Sequence, residues 1–316
     1  MKHYPLLLTP VFKERVWGGS KIEKLLGCKS FGGSVGEAWI LSDHPEGKSS
    51  VANGEFKGRS LSDVMAIKPE WFSGQKLDRF PLLIKLLDSE DYLSVQVHPD
   101  YEYARENENG ESGKSECWYV LDCKPGSEII LSHNAKSKEE FLQLVSEQRW
   151  DDLLVRIPVK AGDFFYIPCG AVHALGKGIT LLEVQQNSDI TYRIYDYNRL
   201  GLDGNKRQLH IDKAVDVVNF GPTASGTEPF KVKGENIVKT VLLDCSYFVV
   251  EKWEISGIFK PKPFNRFFSL SIVDGEGKIN YGGEEIALTT GSSILIPANM
   301  DGYEIEGNVT AIVSYV

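Results

Sequence analysis

One stretch narrows the choice of fold more than any other: Leu93-Ser94-Val95-Gln96-Val97-His98-Pro99. Apolar and polar side chains alternate along it, which is the period of a β-strand. Residues two apart on a strand share a face, so Ser94, Gln96 and His98 point one way and Leu93, Val95 and Val97 the other. Uncharged polar groups in a row make a poor core stripe. They suit a polar pocket inside a small barrel, and Pro99 ends the strand.

The remaining chain supplies further strands for such a barrel. Gly36–Ser42, Ser49–Asn53, Leu82–Asp88, Glu116–Leu121, Glu128–Ser132, Ile179–Gln185 and Ile190–Tyr197 all read as strands, and Val159–Pro168 as a turn and a strand. Short helical patterns interrupt them at Lys21–Leu26, Ser60–Ile67, Asp100–Glu108 and His210–Val218. Another helix opens at Ser137, where Ser137 and Glu140 have the spacing of a capping box, and runs to about Arg149. From Ile157 the texture turns to β. Residues 221 to about 236, rich in Gly, Pro, Ser, Thr and Lys, read as a linker, and beyond them only strands and glycine turns follow. The segment Ala161–Pro168 resembles Thr290–Pro297, which indicates two barrels of similar build, 1–230 and 231–316. His173 falls opposite Gly302 in that alignment, and residues 211–316 contain no histidine. Only the first barrel is therefore expected to hold a histidine-ligated metal.

Charge limits the partners. The 316 residues carry a formal charge of −9, which speaks against nucleic acid or an anionic membrane as the main partner. A phosphorylated small molecule remains compatible, because a few local cations can outvote the global charge within a cleft. The segment Met1–Pro10 has too short an apolar core for a signal peptide, and no stretch is long and apolar enough to cross a bilayer. The five cysteines are scattered and lack any Cys-x-x-Cys pair, so free thiols in a reducing cytoplasm are expected.

Gln96, His98, Glu116 and His173 form a candidate metal set. His and Glu are ordinary ligands, Gln a rarer one, and separate strands converging on one point are what a barrel interior offers. Each residue alone has a blander reading: a hydrogen-bonded strand histidine, a solvated strand-end glutamate. Lys85 breaks an apolar run, where lysine is costly unless paired or facing a pocket; on an edge strand it would simply face water. Lys114 lies in a Gly-Lys-Ser turn, where exposure is the default, and Arg193 would serve equally in a structural ion pair. Glu183 sits within an apolar strand and Asp189 follows it; buried carboxylates are neutralised, paired or functional.

Taken in order, these fragments resemble the type I mannose-6-phosphate isomerases of the cupin superfamily. The resemblance is carried by Leu93–Pro99, Lys114-Ser115-Glu116, Gly162-Asp163 through Gly170–Ala174, and Glu183 through Arg193–Tyr197. Val16–Gly19 and Gly36–Ile40 add to it. It implies a mainly β fold of two cupin-like, jelly-roll β-barrels, with a few short helices on the amino-terminal part. It further implies an enzyme with one Zn2+ per chain, interconverting mannose 6-phosphate and fructose 6-phosphate through an enediol(ate). The family's zinc ligands fall on Gln96, His98, Glu116 and His173, its phosphate or substrate contacts on Lys85, Ser94 and Lys114, its essential arginine on Arg193, and an active-site carboxylate on Glu183. Glu183 is the expected proton shuttle, with His98 and Lys85 as rivals. The segment between Glu116 and Gly162 is too short for the helical domain of the eukaryotic members, so the chain looks like the short bacterial form. The competing readings are a different metal-dependent cupin enzyme and a sugar-binding or regulatory cupin without catalysis. Lys85, Glu116, Glu183 and Arg193 together disfavour the second, since a pure binder has no need of a buried acid–base pair.

Overall fold

The structure, a computed structural model, describes residues 3–27, 33–72, 77, 79–221 and 227–316. Its architecture is mainly β with few helices, the cupin fold. A six-stranded sheet runs in the order Phe164–Ile167, Glu116–Cys123, Ile179–Gln186, Leu82–Ser89, Val11–Gly19, Val35–Leu41. A five-stranded sheet runs Leu154–Pro158, Glu128–His133, His173–Leu175, Val95–Val97, Tyr192–Tyr195. Trp118, Val120 and Leu181 of the first sheet pack with Ile129 and Leu175 of the second in one apolar cluster. Leu82–Ser89 and Ile179–Gln186 are buried along their whole length, which explains the apolar run Leu82–Leu87, broken only by Lys85.

The third sheet has nine strands and takes in the carboxy-terminal part. It also recruits Leu6–Thr9, which pairs antiparallel with Ser293–Ile296 on one side and Ser50–Val51 on the other. Its apolar cluster is built from Trp253, Ile272, Ile294, Ile305 and their neighbours. Among the described residues beyond 230, the buried polar side chains are Thr240, Ser269, Ser271, Ser293 and Ser314, and none of these is charged.

Most expected elements are present with slightly different ends. The opening strand is shorter than its alternation suggests, spanning Val95–Val97. The helix after Ser137 runs over Lys138–Ser146 and stops. The Ser137 hydroxyl does accept the Glu140 N–H, at 3.2 Å, but the Glu140 carboxylate takes the N–H of Lys136 instead of returning to Ser137. The reciprocal box occurs at the helix Leu61–Ile67, between Ser60 and Asp63. The expected linker needs correction. Residues 222–226 lie outside the described residues, but Phe230–Gly234 is a strand at the edge of the large sheet. Phe230 and Val232 alternate with Lys231 and Lys233 as a strand would, although every residue in it is exposed.

Candidate metal centre and cavity

Antiparallel register gathers the chemistry onto two rungs. In the six-stranded sheet Trp39 lies opposite Lys85, Lys85 opposite Glu183, and Glu183 opposite Trp118. One line across four strands thus reads aromatic, cation, anion, aromatic. In the five-stranded sheet Gln96 lies between His173 and Arg193. Residues directly opposite on a ladder share a face. The rings of Trp118 and His173 meet edge-on at 5.6 Å, so the two faces look at each other.

His98, Glu116 and His173 come together between them, each offering a ligand atom within 4.8 Å of the others. All three are buried. Nε2 of His98 and Nε2 of His173 each stand 3.4 Å from a Glu116 oxygen. His173 donates its Nδ1–H to the Ala171 carbonyl at 2.9 Å, which leaves Nε2 as the lone-pair nitrogen facing inward. Burial, reinforced by the nearby Lys114 charge, pushes His98 down to about 3. Burial also lowers His173, so both rings are neutral and able to ligate. Burial works to raise Glu116, but Lys114 and His98 outweigh it and hold the carboxyl well below the ordinary glutamate range. Neither Glu116 oxygen receives a hydrogen bond. A buried carboxylate facing two neutral imidazoles, with the Lys114 ammonium 3.0 Å away, is a donor set that divalent metal ligation suits. The Gln96 amide completes the group, 3.2 Å from His173 Nε2.

Above this cluster opens a cavity of about 560 Å³, whose wall includes Lys85, Ser94, Gln96, Lys114, Glu183 and Arg193. Lys114 links cavity and cluster: its ammonium lies 3.1 Å from His98 and 3.0 Å from Glu116. Lys85 is almost wholly buried, with Glu183 at 3.4 Å, Asp189 at 3.3 Å and Glu37 at 3.9 Å. Burial opposes its charge, yet the carboxylates prevail and raise it beyond the ordinary lysine range. Glu183 accepts a hydrogen bond from Trp118 Nε1 at 3.0 Å, and burial together with the Glu116 charge pushes its carboxyl up.

A second charged group borders the cavity. Asp196 is buried and grips both Arg199 and Arg207, at 2.8 and 2.5 Å. Arg193 gives one N–H to the Gln208 carbonyl, while its buried Nε has no partner. Burial and the neighbouring Arg207 lower its proton affinity. Three arginines gather in this corner, with Asp91 and Asp203 standing beside Asp196 among them.

The structure therefore brings all nine singled-out residues into one region: Gln96, His98, Glu116 and His173 at the cluster, Lys85, Ser94, Lys114, Glu183 and Arg193 around the cavity. Lys114, whose turn suggests exposure, is buried. Sequence reasoning passes over Glu37, Arg15 and Arg207, which also line the cavity, and leaves Asp189 without a role. Glu37 carried a readable signal, a charge inside the wholly buried strand Val35–Leu41. Arg15 and Arg207 carried none.

Comparison with known proteins places the chain in a family. Residues 6–122 match the family model described as phosphomannose isomerase type I, catalytic domain, and residues 237–316 match that of the mannose-6-phosphate isomerase cupin domain. The mannose-6-phosphate isomerase of Streptococcus mutans is 44% identical over 311 residues, covering 98% of each chain. Mannose-6-phosphate isomerase ManA of Bacillus subtilis is 43% identical, covering 99% of each. A crystal structure of the mannose 6-phosphate isomerase from Bacillus subtilis matches with a TM-score of 0.96 at 43% identity, over 99% of both chains. A phosphomannose isomerase mutant from Salmonella typhimurium shares the fold at 17% identity, with a TM-score of 0.77 over 98% of this chain and 99% of its own. Full-length identity at this level, with models matching at both ends, makes the chain a member of the type I mannose-6-phosphate isomerase family.

Proposed function

We propose that this chain interconverts mannose 6-phosphate and fructose 6-phosphate by proton transfer, with one zinc ion per chain. The observation that carries the reading is the buried His98–Glu116–His173 cluster beneath a cavity walled by opposed cations and carboxylates. His98, Glu116 and His173 would hold the ion. Gln96 would join them by turning its amide so that the oxygen faces inward. When bound, zinc supplies a Lewis acid beside the sugar oxygens.

The protein's own groups do the rest. Glu183 takes the proton from C2 of the open-chain aldose and returns it to C1, while the O2 proton moves to O1. Its raised proton affinity brings it closer to neutral pH, which favours transfer in both directions. Arg193 places fixed positive charge beside the developing oxyanion. Ser94 and Lys114 bind substrate oxygens. Lys85, ringed by carboxylates, suits a sugar hydroxyl better than a dianion, whereas Arg207 suits the phosphate. Residues 1–230 would carry this chemistry, and 231–316 would form the domain without a metal. A coupled assay with mannose 6-phosphate, before and after chelation and with added Zn2+, tests the proposal. Fructose 6-phosphate formation that disappears with the metal and returns with it is expected. Binding without turnover would mark a non-catalytic cupin instead.

A further inference from the structure

The cavity holds one buried carboxylate to which no role has been given. Glu37 lies on Val35–Leu41, two residues from Trp39 and on the same face, one rung away from the Trp39–Lys85–Glu183–Trp118 line. Both its oxygens are gripped. Arg15 donates Nε–H to Oε1 at 2.7 Å, and Trp39 donates Nε1–H to Oε2 at 2.7 Å. The same Oε2 faces the Lys85 ammonium at 3.9 Å, and that ammonium lies 5.1 Å from the centre of the Trp39 ring. A carboxylate with two fixed donors cannot swing away from the lysine without breaking both bonds.

We propose that Glu37 is a positioning residue for Lys85, fixing it as a permanent cation beside Glu183, so that Glu183 and not Lys85 carries the proton. This rests on the isomerase reading above and deepens it. Lys85 is faced by Glu37 and Trp39 from one neighbouring strand, by Glu183 from the other, and by Asp189 from the loop that follows it. The Glu116 carboxylate lies farther off and adds to the same sign, and Arg15 touches Glu37 rather than Lys85. A lysine must lose its proton before it can accept one. Three carboxylates around a desolvated ammonium forbid that near neutral pH.

Glu37 remains ionised in this setting. Burial alone would raise its carboxyl, but Lys85 and Arg15 outweigh burial and hold it below the ordinary range. Glu183 is displaced in the opposite direction. The two carboxylates that flank Lys85 are thus separated in role: one stays charged and holds, the other exchanges a proton.

Glu37→Gln keeps the shape and removes the charge. Its kcat for mannose 6-phosphate should fall about tenfold or more while KM stays within about threefold, as expected for a group acting on the chemical step. Glu37→Asp, which restores the charge, should recover part of the loss. A kcat within about twofold of wild type, a loss carried by KM instead of kcat, no rescue by Glu37→Asp, or a fall that tracks lost metal overturns the proposal. If the variant does not fold, 15N NMR of wild-type Lys85, assigned by its loss in Lys85→Met, decides. An Nζ that stays an ammonium from about pH 6 to about pH 10 supports the clamp, and titration within that span overturns it. Should wild type fail to turn over mannose 6-phosphate, the isomerase reading falls, and the NMR titration still judges the clamp.

Discussion

Glu183 and Arg207 separate chemistry from binding at the scale of single residues. Glu183→Gln should lower kcat by about 100-fold or more with metal content unchanged, measured by turnover and metal analysis on the same sample. Arg207→Ala should instead raise KM for mannose 6-phosphate by about tenfold with little change in kcat, since its guanidinium faces the cavity and is held by Asp196. His173→Ala removes a ligand with a fixed inward nitrogen, so bound metal itself should be lost. The metal-cluster residues were legible because strand periodicity places Gln96 and His98 on one face and because His and Glu have few reasons to be buried. Glu37 was equally buried, but its partner Arg15 lies 22 residues earlier and reaches it only through strand pairing. Arg207 gains its place from Asp196, across a turn whose path the sequence does not dictate.

Elements owe their ends to local chemistry and their neighbours to the whole fold. Helix starts were readable because a hydroxyl caps the first N–H groups; Ser137→Ala should cost about 1 kcal/mol, seen as a lower unfolding midpoint at unchanged kcat. The composition around the strand Phe230–Gly234 reads as linker, although Phe230 and Val232 alternate with lysines; the strand pairs with Ile237–Asp244 and buries no side chain. Leu6–Thr9 is the opposite case. Leu6 is fully buried at the seam with Ser293–Ile296, so Leu6→Ala should destabilise by about 2–5 kcal/mol in denaturant titration, with the activity of the folded fraction retained.

For the whole molecule, the same buried cluster that would serve catalysis also costs stability while the Lys114 ammonium alone faces its carboxylate. A ligand that binds only the folded state stabilises it, so chelation should lower the unfolding temperature as well as abolish turnover, and re-addition of Zn2+ should restore both. The likeness of Ala161–Pro168 to Thr290–Pro297 does mark a strand in each segment, Phe164–Ile167 and Ser293–Ile296. The seam between amino-terminal and carboxy-terminal parts could not be read, because nothing in Leu6-Leu7-Leu8-Thr9 names its distant partner. That seam orders events on the ribosome. Leu6 meets Leu295, so this segment leaves the ribosome long before the strand that covers its second flank. Until then an apolar strand edge hangs open, and nascent-chain crowding or a stalled ribosome would leave it available to the wrong neighbour.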